Sequence, residues 1–342
     1  MANNDWQEYQ FIQGAVFNNE TITSFGNTQN ELIYTQNQNI ICDLSHLGLL
    51  EISGEDAVTF LQGQVTNDVR LLDGGHAHYS GYCSPKGRLL ALFFAFSHSN
   101  NLHLQLNNKL VEPIYKRLKM YVMRSKVNII NVSDSAVRLG LSGNELPNLL
   151  LTFFAEIPAQ TYELTNNDNG TLIRLPGKTP RFEVICDTAH AKEIWQALKP
   201  NCKPVGKPCW EWLEIRAGIP DIYLQTQEEF VPQMVNLDLL DAINFKKGCY
   251  TGQEIVARTH YLGKVKRRTY LAHLSTSIPP QAGNDVTTES NDVVGKIVRS
   301  APGPAGGYDV LAEIRLESVE AGGLRVNGVK ADIQQLPYAL SE

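Results

Sequence analysis

The chain has 342 residues, of which 43% are hydrophobic and 19% charged, so it is long enough for two or three domains and too apolar for a disordered protein. Its formal net charge of −6 argues against broad, non-specific binding to nucleic acid. The polar start and the short apolar runs predict neither a secretory signal nor a membrane span. Six cysteines without a CxxC pair are typical of a reduced, cytoplasmic protein.

Along the chain, helix-like and strand-like runs alternate. The first 40 residues are rich in Asn and Gln and predict a mixture of loop and strand. Strand-like runs at 48–52, 89–96 and 101–106 are followed by an amphipathic helix with Leu110, Ile114 and Leu118 on one face. Between about 131 and 200 the runs VRLGLSG, TLIRLP and RFEVICD predict strands, and AHAKEIWQAL predicts a helix. This alternation is typical of α+β domains.

The sequence pattern changes after Lys264, where short strand-like runs are separated by Gly or Pro. They are YLAHL, VVGKIVRS, YDVLAEIRL and LRVNGVKA, and Asn327-Gly328 in the last of them is a strong hairpin signal. The C-terminal part is therefore predicted to be a small barrel or sandwich.

Two basic stretches interrupt the acidic chain. Residues 246–268 carry seven Lys or Arg against the single acid Glu254, and residues 109–126 carry six against Glu112. A solvated face and an electropositive cleft for an anionic ligand are both compatible with this pattern. In the second stretch, Arg124 and Lys126 are predicted to share one strand face, where they could contact an anion.

The segment NFKKGCYTGQEIVARTHYLG, residues 244–263, contains the main candidate for a reactive residue, Cys249. Thr251 and Glu254 fit a capping box, and Gly263 fits a left-handed position at the end of the helix that follows. Cys249 would then lie just before a helix N-terminus and just after two lysines, a setting that favours the thiolate. The alternative is that Cys249 is a small buried hydrophobic residue.

The longer stretch FVPQMVNLDLLDAINFKKGCYTGQEIVAR, residues 230–258, resembles the signature of the YgfZ family of folate-binding proteins, which are relatives of the glycine-cleavage T-protein, an aminomethyltransferase. Similar support comes from ISGEDAVTFLQGQVTNDV, SPKGRLLALF, YVMRSKV and EIRAGIPDI. The resemblance implies a three-domain α+β fold, with two interleaved αβ domains of ferredoxin-like type and a C-terminal β-barrel. We expect residues 1–40 to join the second αβ domain, with the first αβ domain at 41–130, the second at 131–263 and the barrel at 264–342.

The resemblance also implies a function. It predicts a cytoplasmic protein that binds tetrahydrofolate in a central cavity and supports iron–sulfur cluster maintenance, and through it tRNA modification, with a Cys249 thiolate facing the cavity. The implied partners are folate and iron–sulfur enzymes of the radical type that modify tRNA. Direct tRNA binding is less favoured, because aromatic and basic residues are not interleaved along the sequence. The alternative function is a folate-dependent one-carbon transferase, moving aminomethyl or methyl groups, with Cys249 as nucleophile.

Folate-binding residues follow from the same resemblance and from the chemistry of the ligand. A pterin favours aromatic stacking and a few hydrogen bonds, and its glutamate tail favours cations. Trp210 matches a tryptophan associated with folate in the family, Leu47 stands where some members have a second one, and Arg216 replaces a common glutamate. The predicted cofactor-binding residues are Trp210, Leu47, Glu214, Arg216, Lys247, Tyr250, Gln253, Glu254, Arg258 and Arg124.

Two further comparisons concern catalysis and metals. Leu90 and Ala91 occupy the positions where T-proteins carry acidic residues that engage the reacting folate, so aminomethyl transfer by that route lacks its acid–base partner. Whether the chain is an enzyme is therefore left open. His76 and His78 lack a neighbouring cluster of acids and cysteines, and we predict no metal site there.

Overall fold

The structure is a computed structural model and describes residues 2–340. The helices are α1 (Ala2–Ile12), α2 (Thr28–Asn37), α3 (Ala57–Gln62), α4 (Asn108–Val122), α5 (Leu146–Leu150), α6 (Thr188–Leu198), α7 (Lys207–Arg216), α8 (Gln253–Tyr261) and α9 (Leu316–Ala321). The strands are β1 (Val16–Asn18), β2 (Thr21–Ser24), β3 (Ile40–Asp43), β4 (Leu47–Ser53), β5 (His78–Cys83), β6 (Leu89–His98), β7 (Asn101–Asn107), β8 (Asn128–Asn131), β9 (Val137–Ser142), β10 (Leu164–Asn167), β11 (Gly170–Leu175), β12 (Arg181–Cys186), β13 (Lys203–Val205), β14 (Arg267–Leu274), β15 (Asp285–Thr287), β16 (Val293–Pro302), β17 (Tyr308–Arg315), β18 (Arg325–Val326) and β19 (Val329–Gln334).

Two sheets form the first two thirds of the molecule, and they are interleaved in sequence. The first sheet is antiparallel with the order β5-β6-β7-β4-β8. The second has the order β10-β11-β12-β9-β3-β13, with only β13 and β3 parallel. The chain thus enters the second sheet with β3, builds the whole first sheet, and returns with β9. This confirms the predicted α+β class with two interleaved αβ units, while the exact domain limits stay predictions.

The amphipathic helix predicted after the strand-like run 101–106 is α4, and it is longer than the sequence pattern indicates. Leu110, Ile114 and Leu118 are buried, as their spacing requires. The helix continues to Val122 because that residue still packs against the core. Arg124 and Lys126 therefore lie in the turn and loop before β8, and the prediction that they share a strand face is wrong.

The C-terminal part is a closed barrel with the strand order β14-β17-β16-β15-β18-β19. The turn between β18 and β19 has φ values of 49° at Asn327 and 79° at Gly328, as a two-residue turn of type I′ requires. Of the two predicted architectures, barrel and sandwich, the barrel is confirmed. No helix among residues 2–340 is long and apolar enough to cross a membrane.

Helix α7 joins the second sheet to the barrel, since it packs against β3 of that sheet and β16 and β17 of the barrel. Its two tryptophans point to different neighbours. Trp212 donates a hydrogen bond from Nε1 to Asp309 Oδ2 in the barrel, at 2.8 Å. Trp210 packs instead on Gly140 in the second sheet. Helix α7 therefore fixes the position of the barrel relative to that sheet.

We predict that Gly140→Ala destabilises the fold. An added Cβ would lie 2.6 Å from Cζ3 of the buried Trp210 ring, which cannot move without disturbing α7. The expected loss in the free energy of unfolding is about 1–3 kcal/mol, measured by urea denaturation. Gly248→Ala is the matched control, because its Cβ would meet nothing within 4 Å. Equal stability of both variants would show that the Trp210 ring yields easily.

Candidate functional site

A small central cavity lies where the first sheet, the second sheet, α7 and the barrel meet. Its volume is about 50 Å³. Aromatic and aliphatic side chains line part of it, and the polar lining consists chiefly of Gln105, Asn107, Glu183, Glu214, Asp221 and Arg299. These polar groups come from β7, β12, α7, the loop after α7, and β16, so the cavity exists only when all three parts of the fold are assembled.

The Trp210 ring lines this cavity but is held on the side of the second sheet. Only 2% of the residue is exposed. Gly140 packs against its six-membered ring, and the Arg181 guanidinium lies over the ring, 4.5 Å from the centroid. A ligand would therefore meet the part of the ring turned toward the cavity, or displace Arg181.

A buried ion network crosses the wall of the cavity. Glu214 pairs with Arg181 on one side and with Arg299, at 3.5 Å, on the other. Arg299 also donates from Nε to Glu211 Oε2, at 2.7 Å. Burial alone would raise the pKa of Glu211, but the positive charges of Arg299 and Lys207 lower it to about 2. Both carboxylates of α7 are thus already engaged by arginines.

Two acceptors in the cavity have no partner. Gln105 Nε2 donates to Glu183 Oε2 at 3.1 Å, whereas Glu183 Oε1 and Gln105 Oε1 receive no hydrogen bond from any described residue. Burial raises the pKa of the Glu183 carboxyl to about 7, against the lowering effect of Gln105 and Arg138. Since buried acceptors are normally satisfied, this pair points to a ligand that carries N–H donors.

A second carboxyl in the cavity belongs to Asp221. Burial raises its pKa to about 6, while Arg299 and the hydrogen bond from Asn107 Nδ2, at 3.1 Å, act in the opposite direction. Sequence reasoning missed Glu183, Gln105 and Asp221 as site residues. The one signal for Glu183 is a charged residue inside the otherwise apolar run FEVIC, residues 182–186.

The segment that carries Cys249 is anchored elsewhere, beside α3 and β5. The Lys247 ammonium is buried and donates to the carbonyls of Val65 and Asn67, at 2.6 Å each. Burial lowers its pKa to about 8, opposed by the charge of Asp68. Cys249 is exposed, whereas the other cysteines of the chain are buried. Lys247 is therefore an anchor for the loop, and the loop presents Cys249 to solvent.

The next helix ends where predicted, but the predicted capping box and the predicted left-handed conformation of Gly263 are both wrong. Gly252 caps α8 in a left-handed conformation with φ 85°, and no side chain caps the helix. A Cβ at this position would lie 2.5 Å from the Ser84 carbonyl, so close packing selects glycine here instead of the capping box of Thr251 and Glu254. At the other end Leu262 is the C-cap, and Gly263 does not have a positive φ.

Comparison with known proteins agrees with this architecture. Residues 6–247 match the GCVT N-terminal domain family. The tRNA-modifying protein YgfZ of Yersinia pestis (strain Pestoides F) is 31% identical over 309 residues, covering 88% of this chain and 93% of the relative. The protein of the same name from Sodalis glossinidius (strain morsitans) is 30% identical over 308 residues, covering 88% and 94%. This chain belongs to the YgfZ family.

A solved structure shows the same fold. The glycine cleavage system aminomethyltransferase T from Bartonella henselae superposes with a TM-score of 0.79 over 97% of this chain and 96% of its own, at 18% identity. The T-protein-like architecture predicted for this YgfZ-family chain is thereby confirmed. At that identity the likeness concerns the fold alone.

The central cavity brings together only part of the predicted folate-binding set. Trp210, Leu47 and Glu214 line it. Arg216 turns to the barrel instead, where it contacts Gln334 and lies 3.6 Å from Asp309. The remaining predicted residues do not line this cavity. Arg124 lies in an exposed turn, and the others belong to the segment that the Lys247 anchor holds beside β5. These others are Lys247, Tyr250, Gln253, Glu254, Arg258 and the predicted catalytic Cys249.

The strand that would carry catalytic acids in a T-protein is apolar at the cavity. Leu92 and Phe94 of β6 line the cavity, and Leu90 and Ala91 are buried. The family fold is therefore present without a carboxylate at the predicted positions. The carboxyls that reach the cavity come from β12, α7 and the loop after it.

We predict that Lys247→Met loosens the Cys249 loop. The variant removes both charge-assisted hydrogen bonds of the ammonium and leaves the carbonyls of Val65 and Asn67 unsatisfied. Amide hydrogen exchange at residues 246–252 should become faster, and the fold should lose about 1–3 kcal/mol. Lys246→Met, at the exposed neighbouring position, should leave both measurements unchanged. Unaltered exchange in Lys247→Met would contradict the anchoring role.

Proposed function

We propose that this chain binds a tetrahydrofolate in the central cavity and supports iron–sulfur enzymes that modify tRNA, with the Cys249 thiol exposed for use by a partner. The observation that carries the folate proposal is the pair of unpartnered acceptors, Glu183 Oε1 and Gln105 Oε1. The role in tRNA modification is supported by the relatives named tRNA-modifying protein YgfZ.

The donor edge of a pterin suits these acceptors. It presents a ring N–H and an amino group side by side, and a carboxylate can accept from both. Each buried acceptor without a partner costs about 1–3 kcal/mol, so a ligand that satisfies both gains up to about twice that amount. A bound tetrahydrofolate would supply the one-carbon chemistry of its own ring nitrogens. The protein residues bind and orient it.

The ring can enter only if lining side chains move. The cavity volume of about 50 Å³ is well below the ~300–1,000 Å³ of typical small-molecule sites. We propose that Gln105 gives up its bond to Glu183 Oε2 while its own Oε1 stays toward the ligand, and that the Arg181 guanidinium shifts on Trp210, since these contacts are the ones a pterin would replace. Binding should therefore be accompanied by a change in the environment of Trp210.

An adjacent cavity suits the glutamate tail. It has a volume of about 240 Å³, shares Asn107 with the central cavity, and is lined by Lys109 and Lys207. Neither ammonium forms a hydrogen bond or ion pair within 4 Å among the described residues. We propose that these lysines hold the tail carboxylates, which places the tail toward the surface and the pterin inside.

The Cys249 thiol would act at the surface, apart from the folate. Its loop is anchored beside β5, and its side chain is exposed. We propose that a partner iron–sulfur enzyme reaches the thiol directly. Folate would then affect the partner through the conformation of the protein and not through contact with the Cys249 sulfur.

The alternative, a folate-dependent one-carbon transferase, is favoured by one observation. Glu183 and Asp221 both have pKa values raised toward neutrality in the cavity, as general acids and bases often do. The apolar face of β6 argues against aminomethyl transfer by the T-protein mechanism, because it places no carboxylate at the cavity. Turnover of an aminomethylated lipoyl carrier with tetrahydrofolate would distinguish the two, and we expect none above background.

We predict that Glu183→Gln weakens tetrahydrofolate binding by about tenfold or more, since an amide offers one acceptor where the carboxylate offers two. Quenching of tryptophan fluorescence measures the affinity. In the parent protein, affinity should fall about tenfold from about pH 8 to about pH 6, because protonation of Glu183 through its pKa of about 7 removes the carboxylate. The variant should lose this pH dependence.

The control for that experiment is Glu254→Gln, which neutralises an exposed carboxylate on α8 outside the cavity. Its affinity and its pH profile should match those of the parent protein. Equal affinity in Glu183→Gln and the parent would remove Glu183 from the site.

We predict that a small haloacetamide labels Cys249 before the other cysteines, because it alone is exposed. Tetrahydrofolate should leave the labelling rate unchanged, since the sulfur does not line the cavity. Cys249→Ser should melt like the parent protein and still bind tetrahydrofolate, yet fail to support iron–sulfur enzymes that modify tRNA in cells. A Cys249→Ser protein that supports them fully would exclude the thiol from the function.

A further inference from the structure

Three aromatic rings stack next to the Cys249 loop, and two of them, His260 and Tyr261, are exposed, whereas Phe245 is half-buried against the core. Phe245, before the loop, stacks on His260 of α8 with ring centroids 3.7 Å apart and an angle of 11° between planes. Tyr261 meets His260 edge-on, with centroids 4.7 Å apart, and 64% of Tyr261 is exposed. Aromatic residues of this size are normally buried, so a stack with two exposed rings suggests a surface that meets a partner.

Four cations close in sequence to these rings have no ion-pair partner among the residues that the structure describes. Of the seven Lys and Arg in the stretch 246–268, Lys247 is bound to carbonyls, Arg267 to Glu313 and Arg268 to Asp238. The other four are at least partly exposed and form no ion pair within 4 Å among the described residues; they are Lys246, Arg258, Lys264 and Lys266. We call the three rings and these four cations the aromatic-basic surface.

We propose that the aromatic-basic surface binds a single-stranded segment of RNA, such as the loop of a tRNA. Stacked aromatic side chains beside unpaired cations are how proteins hold unpaired bases and the phosphates between them. Phe245 is followed directly by Lys246, and Tyr261 lies three positions before Lys264. Folding joins these two groups because α8 returns to Phe245. The choice of RNA rests on the proposed role in tRNA modification, whereas the binding itself needs neither folate nor Cys249.

An acidic protein would also be attracted to the four cations, but it would not need the rings. Aromatic rings contribute to RNA binding through base stacking, and that contribution is insensitive to salt. The phosphate contacts instead give a steep salt dependence. The two contributions can therefore be measured separately, and only RNA in unpaired form uses both.

The test is fluorescence anisotropy of a labelled RNA stem-loop with a tRNA anticodon loop, at several salt concentrations. We expect binding with a slope of log K against log salt of about −3, from four phosphate contacts at about 0.7 each. Tyr261→Ala should weaken binding about 5- to 100-fold without changing the slope, and Tyr261→Phe should retain the affinity. Lys264→Gln combined with Lys266→Gln should make the slope less steep by about 1.4, since two phosphate contacts at about 0.7 each are lost.

Two controls sharpen the result. Lys330→Gln, an exposed lysine of the barrel paired with Asp332 at 2.7 Å, should change neither affinity nor slope. The same RNA closed into a perfect duplex should bind more weakly and be insensitive to Tyr261→Ala. Tetrahydrofolate binding, measured by tryptophan fluorescence, should be the same in every variant. This separates failure of the folate proposal from failure of the RNA proposal.

Other outcomes would overturn the inference. Absence of binding to the stem-loop, equal binding to the duplex, or binding that ignores both Tyr261→Ala and the lysine pair would each exclude unpaired RNA as the ligand. The surface would then be assigned to a protein partner.

Discussion

The structure depends on one buried ion network, in which Arg181 of β12, Glu214 of α7 and Arg299 of β16 meet. Each charge comes from a different part of the fold. Breaking a buried pair by removing one partner typically costs about 3–5 kcal/mol, because the remaining charge is left without compensation. The network therefore makes the second sheet, the central helix and the barrel interdependent, and the central cavity exists only where they are joined.

The same network decides what the cavity can recognise. It engages the carboxylates of α7 with arginines, so those acids are poor acceptors for a ligand. Glu183 is left with one free oxygen and a carboxyl whose pKa is raised to about 7 by burial. The cavity is thus suited to a neutral, donor-rich ring and not to an anionic head group. The Cys249 loop lies outside this network, held by Lys247, and belongs to the surface.

Features that depend on neighbouring residues could be predicted from the sequence. The buried face of α4 follows from the spacing of Leu110, Ile114 and Leu118, and the hairpin of the barrel follows from Asn327-Gly328. The site could not be predicted in this way. Glu183 is paired with Gln105, which lies 78 positions away, and Lys247 binds carbonyls 182 and 180 positions away. Local patterns carry no information about such partners. The same limit explains the error at α8, where Thr251 and Glu254 fit a capping box in sequence but close packing against Ser84 selects Gly252 as the cap.

The interleaving of the two sheets has a consequence for how the chain is made. Strand β3 leaves the ribosome early, but its neighbours β9 and β13 follow only after the entire first sheet has been synthesised. Helix α1 also lacks its packing partner until α6 has been synthesised, since Trp6 packs on Trp195 of α6. Folds with such distant pairings have high contact order and fold slowly, and their unpaired strands are prone to aggregate in the meantime. A nascent chain of this protein therefore carries an unpaired, largely apolar strand for much of its synthesis, which makes it a natural client for a chaperone at the ribosome.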